Sequence, residues 1–276
     1  MTKKEINSKT DLSEESYHKL SIQVSLNGLS FCILDTIANT ISASNRLSFG
    51  KELSPYEVQK ELKDFLRENR VSDYDFSEVV VIHRNNLFSL VPKALFDKEE
   101  LANYLKFNAK ILANDHLEYD EIEGFDMVNV YVPFVNINNY IYDLYGEFSF
   151  MHNGTVMVQS LLNTHKNGKD PVGYVHVAEQ QMDLAILTNK SLRFYNSFNF
   201  KTKEDFMYYL LFTLEQLKLD TQTVKIRLFG AVEEGDEIYT LCYEYIQHLA
   251  IFVPSNPALP LAEAEETIDF TVLNAL

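Results

Sequence analysis

Long apolar runs are missing from this sequence: no window approaches the roughly 18 uninterrupted apolar residues of a membrane-spanning helix, which excludes one. Basic residues are outnumbered, with 24 Lys and Arg against 40 Asp and Glu, a formal net charge of −16. A surface that acidic repels phosphate backbones and anionic lipid, so nucleic acid and membrane insertion are excluded as main partners, while an unidentified protein partner fits. Only two cysteines occur, Cys32 and Cys242, far apart and in apolar contexts, and they read as buried reduced thiols rather than a bridge. No apolar segment follows the lysines of MTKKEINSKTDLSEES, so no secretory signal is read and a cytoplasmic address follows by default. Tryptophan is absent, yet 19 Phe and 16 Tyr supply enough apolar bulk to exclude disorder.

Motifs of catalysis are also lacking. His18, His83, His116, His152, His165, His176 and His248 form no pair at metal-ligand spacing and have no cysteine nearby, leaving a zinc site unsupported. There is no Gly-x-Ser-x-Gly, no P-loop and no dinucleotide glycine fingerprint. Ser25 and Cys32 have no histidine close in sequence to activate them. Neither a catalytic residue nor a metal ligand is therefore assigned.

What is present begins with SIQVSLNGLSFCIL. Asn27-Gly28 between two alternating runs predicts a tight hairpin with both turn residues at positive φ. Strands are expected at Ser21–Leu26, Leu29–Leu34 and Thr40–Phe49, after a polar lead-in of residues 1–17. Ser54-Pro55-Tyr56-Glu57 combines a hydroxyl cap, proline at the first helical position and Glu three residues past the cap. Val58, Leu62, Phe65 and Leu66 then define one face of a helix ending near Asn69, and Glu78–Ile82 reads as a buried strand.

The second half repeats this order. Tyr174–Val177, Leu184–Leu187 and Leu192–Phe200 are strand-like, Thr202 and Asp205 open a helix with Phe206, Leu210, Leu214 and Leu217 on one face, and Thr223–Phe229 is a strand ending in Gly230. Between the copies, Asp97–Glu100 opens a helix, Val128–Val132 is a strand stopped by Pro133, Ile137–Leu144 is helical, and Phe148–Ser160 reads as strand with a turn at His152-Asn153-Gly154. The polar stretch Thr164–Pro171 is the linker candidate. These features divide the chain into a lead-in (1–17), a first lobe with an inserted middle section (18–165), a second lobe (166–255) and a C-terminal tail (256–276). Within that tail, Ile268–Val272 is either an edge strand docking late or loose.

Three stretches carry a family resemblance: Ser21–Phe31, Leu87–Lys93, and the hairpin and capped helix from Tyr174 to Leu219. With the doubled element order they resemble the actin-like ATPase superfamily, its bacterial branch related to pilus-assembly actin-like proteins, and within that an uncharacterised bacterial family. The resemblance implies an α/β, ribonuclease H-like duplicated βββαβα fold with two lobes and a central cleft. It also implies that two hairpin turns and a later glycine pair would hold ATP and Mg²⁺. The matching positions are Ser25, Asn27 and Gly28 in the first turn, Gln180 and Gln181 in the second, and Gly230 and Gly235 in the third. The second turn has no glycine, and its glutamines are expected to fill phosphate space; the third is one glycine short of a pair and continues into Glu233 and Glu234, which add like charge. ATP with Mg²⁺ is thus disfavoured as a cofactor.

Other candidates read as structural. His83-Arg84-Asn85-Asn86 follows a strand, where ligands of α/β folds gather, but a polar loop explains it. The run from Asp115-His116 to Glu118–Glu123 reads as a solvated loop rather than a metal site, and His176 as a core or interface histidine. Tyr208, Tyr209 and Phe212, with Tyr239, Tyr243 and Tyr245 on a helix after Gly235, are partly core and partly suited to protein contacts. The expectation is a non-catalytic assembly or adaptor protein with a degenerate nucleotide cleft. Its rival is an ATP-binding enzyme or switch with diverged phosphate loops, and self-association is a third option.

Overall fold

The computed structural model describes residues 16–112, 114–165, 168–178, 180–254 and 268–276. Along the chain run β1 (His18–Val24), β2 (Gly28–Asp35), β3 (Thr40–Ser48), α1 (Pro55–Glu68), β4 (Phe76–His83), β5 (Phe88–Pro92), α2 (Leu101–Leu105), β6 (Glu118–Ile122) and β7 (Met127–Tyr131). There follow α3 (Val135–Tyr145), β8 (Ser149–His152), α4 (Asn153–Thr164), β9 (Val172–Val177), β10 (Gln181–Thr188) and β11 (Ser191–Asn199). The chain continues through α5 (Lys203–Gln216), β12 (Lys225–Gly230), α6 (Glu237–Tyr245), β13 (His248–Ile251) and α7 (Phe270–Asn274).

Two five-stranded sheets have one topology, β3-β2-β1-β4-β8 and β11-β10-β9-β12-β13. In each, three antiparallel strands are followed by two parallel ones. The correspondence extends to single hydrogen bonds. Ser25 N–H donates to the Gly28 carbonyl as Ala178 N–H does to Gln181, Phe49 to Asn27 as Phe200 to Gln180, and Arg84 to Val24 as Ala231 to Val177.

Alternation on the central strands explains the layering. Leu20, Ile22 and Val24 point to one face of the first sheet and pack with Val58, Leu62, Phe65 and Leu66 of α1 and Ile137 and Ile141 of α3. In the second sheet Val175, Val177, Leu184 and Ile186 pack with Phe206, Leu210 and Leu214 of α5 and Cys242 of α6. Both outer helices start from the anticipated capping boxes, Ser54 with Glu57 and Thr202 with Asp205. The inner faces of the two sheets meet α4 and α7. Met157, Val158, Leu161 and Leu162 of α4 join Tyr174, Ala185, Leu187 and Phe229 of the second sheet, while Val272 and Leu273 of α7 cover Cys32 and Ile82 of the first. A three-stranded sheet, β5-β7-β6, is the inserted section.

Several expectations are corrected. The turn after β1 does not centre on Asn27-Gly28: the closing hydrogen bond spans Ser25 to Gly28, neither Asn27 nor Gly28 has positive φ, and Gly28 is already paired with Ser48. Its glycine is demanded by close approach, since a Cβ there would lie 2.8 Å from the Leu47 carbonyl oxygen. Phe148–Ser160 is a strand for only four residues before α4 begins; His152 caps that helix by accepting from Gly154 N–H, 3.0 Å. Asn153-Gly154, which suggested a hairpin turn, is instead the first turn of α4, and the i, i+1, i+4, i+5 spacing of Met157, Val158, Leu161 and Leu162 is that of a helix face. The acidic run is the strand β6 rather than a loop, with Asp120 turned inward to accept from His152 N–H (2.8 Å) and the Thr155 hydroxyl (2.6 Å). Burial pushes the Asp120 carboxyl up to about 6 against those hydrogen bonds. Finally, Phe270–Asn274 is neither strand nor loose but the helix α7, with Ser21 Oγ donating to the Val272 carbonyl at 2.5 Å. Most of the lead-in, residues 166 and 167 of the linker candidate, and residues 255–267 lie outside the described residues.

Candidate functional site

The inner faces of the sheets leave a cleft of about 1260 Å³ between the lobes. Its first wall is hydroxyl-rich, with Gln23 and Ser25 at the end of β1, Ser30 on β2, and Ser44, Arg46 and Ser48 on β3. Its second wall is largely apolar, formed by Ala178, Phe229, Phe252 and Phe270, with Glu233 and Glu234 at the rim. Of the residues anticipated for nucleotide binding, Ser25, Asn27, Gly28 and Gly230 reach the cleft wall, whereas Gln180, Gln181 and Gly235 do not.

Those four are committed to the chain itself. Ser25 Oγ lies 2.7 Å from Asn27 Oδ1 and 2.8 Å from the Gly28 carbonyl oxygen, closing its own turn. Gly230 has φ +91°, and a Cβ on it would fall 2.4 Å from the Val177 carbonyl oxygen, so strand packing alone requires glycine there. Gln181 is buried and turned from the cleft: its carbonyl oxygen accepts from Arg84 Nε at 3.0 Å, and its amide donates to Asn86 at 2.8 Å. Gly235 sits in an open turn with no atom near a would-be Cβ.

The floor of the cleft holds a buried cluster around Arg84, which the sequence reading took for part of a polar loop. Arg84, only 4% exposed, crosses from the end of β4 to Asp183 on β10, Nη2 to Oδ2 2.6 Å. Asp183 also lies 3.3 Å from His176 Nδ1 and accepts from the Ser197 hydroxyl. Burial on its own would raise the Asp183 carboxyl; the Arg84 charge overrides it and, with His176 and Ser197, holds it well below the usual carboxylate range. Asp269, just before α7, accepts from Gln23 Nε2 at 3.1 Å. Its carboxyl too is lowered despite burial, through the proximity of His176 and Arg84. One guanidinium therefore lies close to two carboxylates, Asp183 fully buried and Asp269 half-buried in the cleft wall. The signal in the sequence was an arginine two residues past a run of β-branched residues, where a charge is buried only if paired.

The remaining candidates are structural in their contacts. Burial pulls His83 down to about 4, with Asn138 at 2.9 Å the one opposing influence. Asn85 donates to the Val132 carbonyl and accepts from Leu87 N–H, satisfying turn amides as anticipated. His176 packs between Phe229 and Phe270 at the lobe interface. Burial pushes both cysteine thiols up to about 12, which leaves them unreactive. Among the described residues no group of His, Cys, Asp and Glu could hold a metal ion, and no helix is long and apolar enough to cross a membrane.

Comparison with known proteins agrees with this architecture. Residues 7–249 match the family model "Protein of unknown function (DUF3822)", and the chain belongs to that family. No curated protein matches the sequence. Among solved structures, a Bacteroides thetaiotaomicron protein with actin-like ATPase fold and unknown function superposes with a TM-score of 0.73 at 21% identity, over 89% of this chain and 94% of that one. The PilM–PilN type IV pilus biogenesis complex matches with a TM-score of 0.58 at 11% identity, over 84% of this chain and 87% of that one. The fold is that of the actin-like ATPases: two lobes with a central cleft, shared with a pilus-assembly protein.

Proposed function

From this membership and this fold, which supply no activity, we propose that the protein is a non-catalytic assembly or adaptor protein whose nucleotide cleft is degenerate. One observation carries the reading: the cation at the cleft floor, Arg84, is spent on Asp183, with Asp269 a second carboxylate beside it. A triphosphate would bring about four negative charges to a floor already balanced toward the acidic side, with Glu233 and Glu234 at the rim. The glycines of the cleft answer to strand packing, and the first turn satisfies its own polar groups. The residues present do not fit magnesium and a triphosphate.

An adaptor acts through a protein partner, and the pilus complex offers a precedent in which this fold is held in a complex with a second protein. The reading keeps the cytoplasmic address, supported by two free, buried thiols. It also keeps the lobe boundary near residue 165, supported by α4 ending at Thr164 and β9 starting at Val172. The volume of the cleft favours the second reading, an ATP-binding enzyme or switch, because about 1260 Å³ exceeds what a nucleotide needs.

Isothermal titration with ATP and Mg²⁺ separates the two. No binding at millimolar ligand is expected. Millimolar or tighter binding that weakens on Arg46→Ala, an exposed guanidinium on the cleft wall, would overturn the adaptor reading. Gly28→Val is unsuitable for this test, because its side chain would strike the Leu47 backbone whether or not a nucleotide binds.

A further inference from the structure

Helices α1 and α5 occupy the same place in the two lobes, start from the same kind of capping box and bury the same kind of apolar stripe. Their outward faces differ. Along α1, Lys60, Lys63 and Arg67 alternate with carboxylates, Arg67 pairs with Asp64 at 2.7 Å, and a single exposed aromatic, Tyr56, sits in the first turn. On α5, Tyr208 and Phe212 stand 61% and 46% exposed, stacked on one another with ring centroids 5.8 Å apart. Neighbouring α6 adds Tyr243 and Tyr245, also exposed. The sequences of α5 and α6 contain five carboxylates, Glu204, Asp205, Glu215, Glu237 and Glu244, against the single lysine Lys203, which is paired with Glu237 at 3.3 Å.

We propose that the outer face of α5 and α6 is a protein-docking surface for a basic amphipathic segment of a partner, whose apolar side packs on Tyr208 and Phe212 and whose lysines or arginines meet the surrounding carboxylates. This rests on the adaptor reading and names the kind of partner it requires. The aromatic pair supplies broad contact area at small cost in side-chain entropy, as anchors in interfaces do. The charge of the two helices selects the occupant: an acidic segment, or a second copy of a chain with net charge −16, would meet like charge. The pair lies off the stripe that holds α5 to its sheet, Phe206, Met207, Leu210 and Leu214; Tyr208 also meets Tyr209 edge-on at 5.5 Å, yet both rings of the pair stay exposed.

The test uses the full chain and a short helical peptide built of leucine and lysine, with a leucine–glutamate peptide as control, followed by calorimetry. The lysine peptide is expected to bind and to weaken as salt is raised toward ~0.3 M, while the glutamate peptide does not bind. The double variant Tyr208→Ala, Phe212→Ala should weaken binding about tenfold or more, with its melting temperature unchanged because both side chains are surface groups. Tyr56→Ala on the exposed face of α1 should leave binding as it was. Equal loss from both variants, binding of the glutamate peptide, or indifference to the α5 variant overturns the proposal. So does sedimentation showing that the α5 face instead holds two copies of this chain together. The adaptor reading falls separately, on the ATP titration, and survives if only the peptide test fails.

Discussion

Where the central strand β4 ends, the chain continues as His83-Arg84; where its counterpart β12 ends, it continues as Gly230-Ala231. Across the first hairpin Gln23 pairs with Ser30, and at the same positions of the second, His176 pairs with Asp183. The first lobe thus sends a cation inward and the second receives it with an anion. Ser30, the counterpart of Asp183, keeps a buried hydroxyl with no partner among the described residues. Backbone hydrogen bonds and capping boxes match between the lobes because the topology demands them. Side chains differ throughout, and the differences with chemical consequence lie at the floor where the lobes meet and on the outward helix faces.

The largest expected effect comes from breaking that asymmetric contact. Arg84→Ala strands the buried Asp183 carboxylate and should cost about 3–5 kcal/mol in urea unfolding. The double variant Arg84→Met, Asp183→Leu should recover most of the loss, and failure to do so would show that the pair's hydrogen-bonded neighbours, rather than the charges, dominate.

Acid should act next, through groups of the first lobe. His83 is depressed from 6.5 to about 4 by burial, so the unfolded chain binds its proton first, and the stabilisation present above pH 6.5 is lost as pH falls toward 4. The loss amounts to about 3 kcal/mol when complete. Burial depresses His152, at the end of neighbouring β8, to about 3, and it acts with the same sign. Asp120, raised from 3.8 to about 6, acts oppositely: its contribution is present in acid and fades as pH rises through about 6. The histidines prevail, and His83→Gln should flatten the stability profile between pH 6.5 and 4. A profile as steep as wild type would remove His83 as its source. Smallest are the caps: Ser54→Ala and Thr202→Ala should each cost about 1 kcal/mol by thermal melting. Unequal costs would mean that the two helix starts are equivalent in drawing only.

The local signals were legible in proportion to their physical determinacy. Ser54 with Glu57 and Thr202 with Asp205 are complete in four residues, so both helix starts were visible, as were the continuous strand Val79–Ile82 and the order that reveals the fold. Gly28 was visible as a glycine but misread in cause, because the Leu47 backbone that excludes a side chain belongs to another strand. The helix α4 was masked by the turn-like His152-Asn153-Gly154 at its start. Four of the seven anticipated cleft residues reach the wall, yet Arg84 was taken for a loop residue because its partner lies 99 residues away.

By itself the sequence determined two β-rich halves of like order, the capped outer helices, two reduced cysteines and a strongly acidic chain, since each follows from short-range backbone chemistry or from composition. Only the tertiary structure decided that α7 packs inside the cleft, that Asp120 holds the start of α4 through His152 N–H and the Thr155 hydroxyl, and that Arg84 spends its charge on Asp183. These are contacts between segments remote along the chain, and burial, which sets both their strength and their partners, exists only once the lobes have closed on one another.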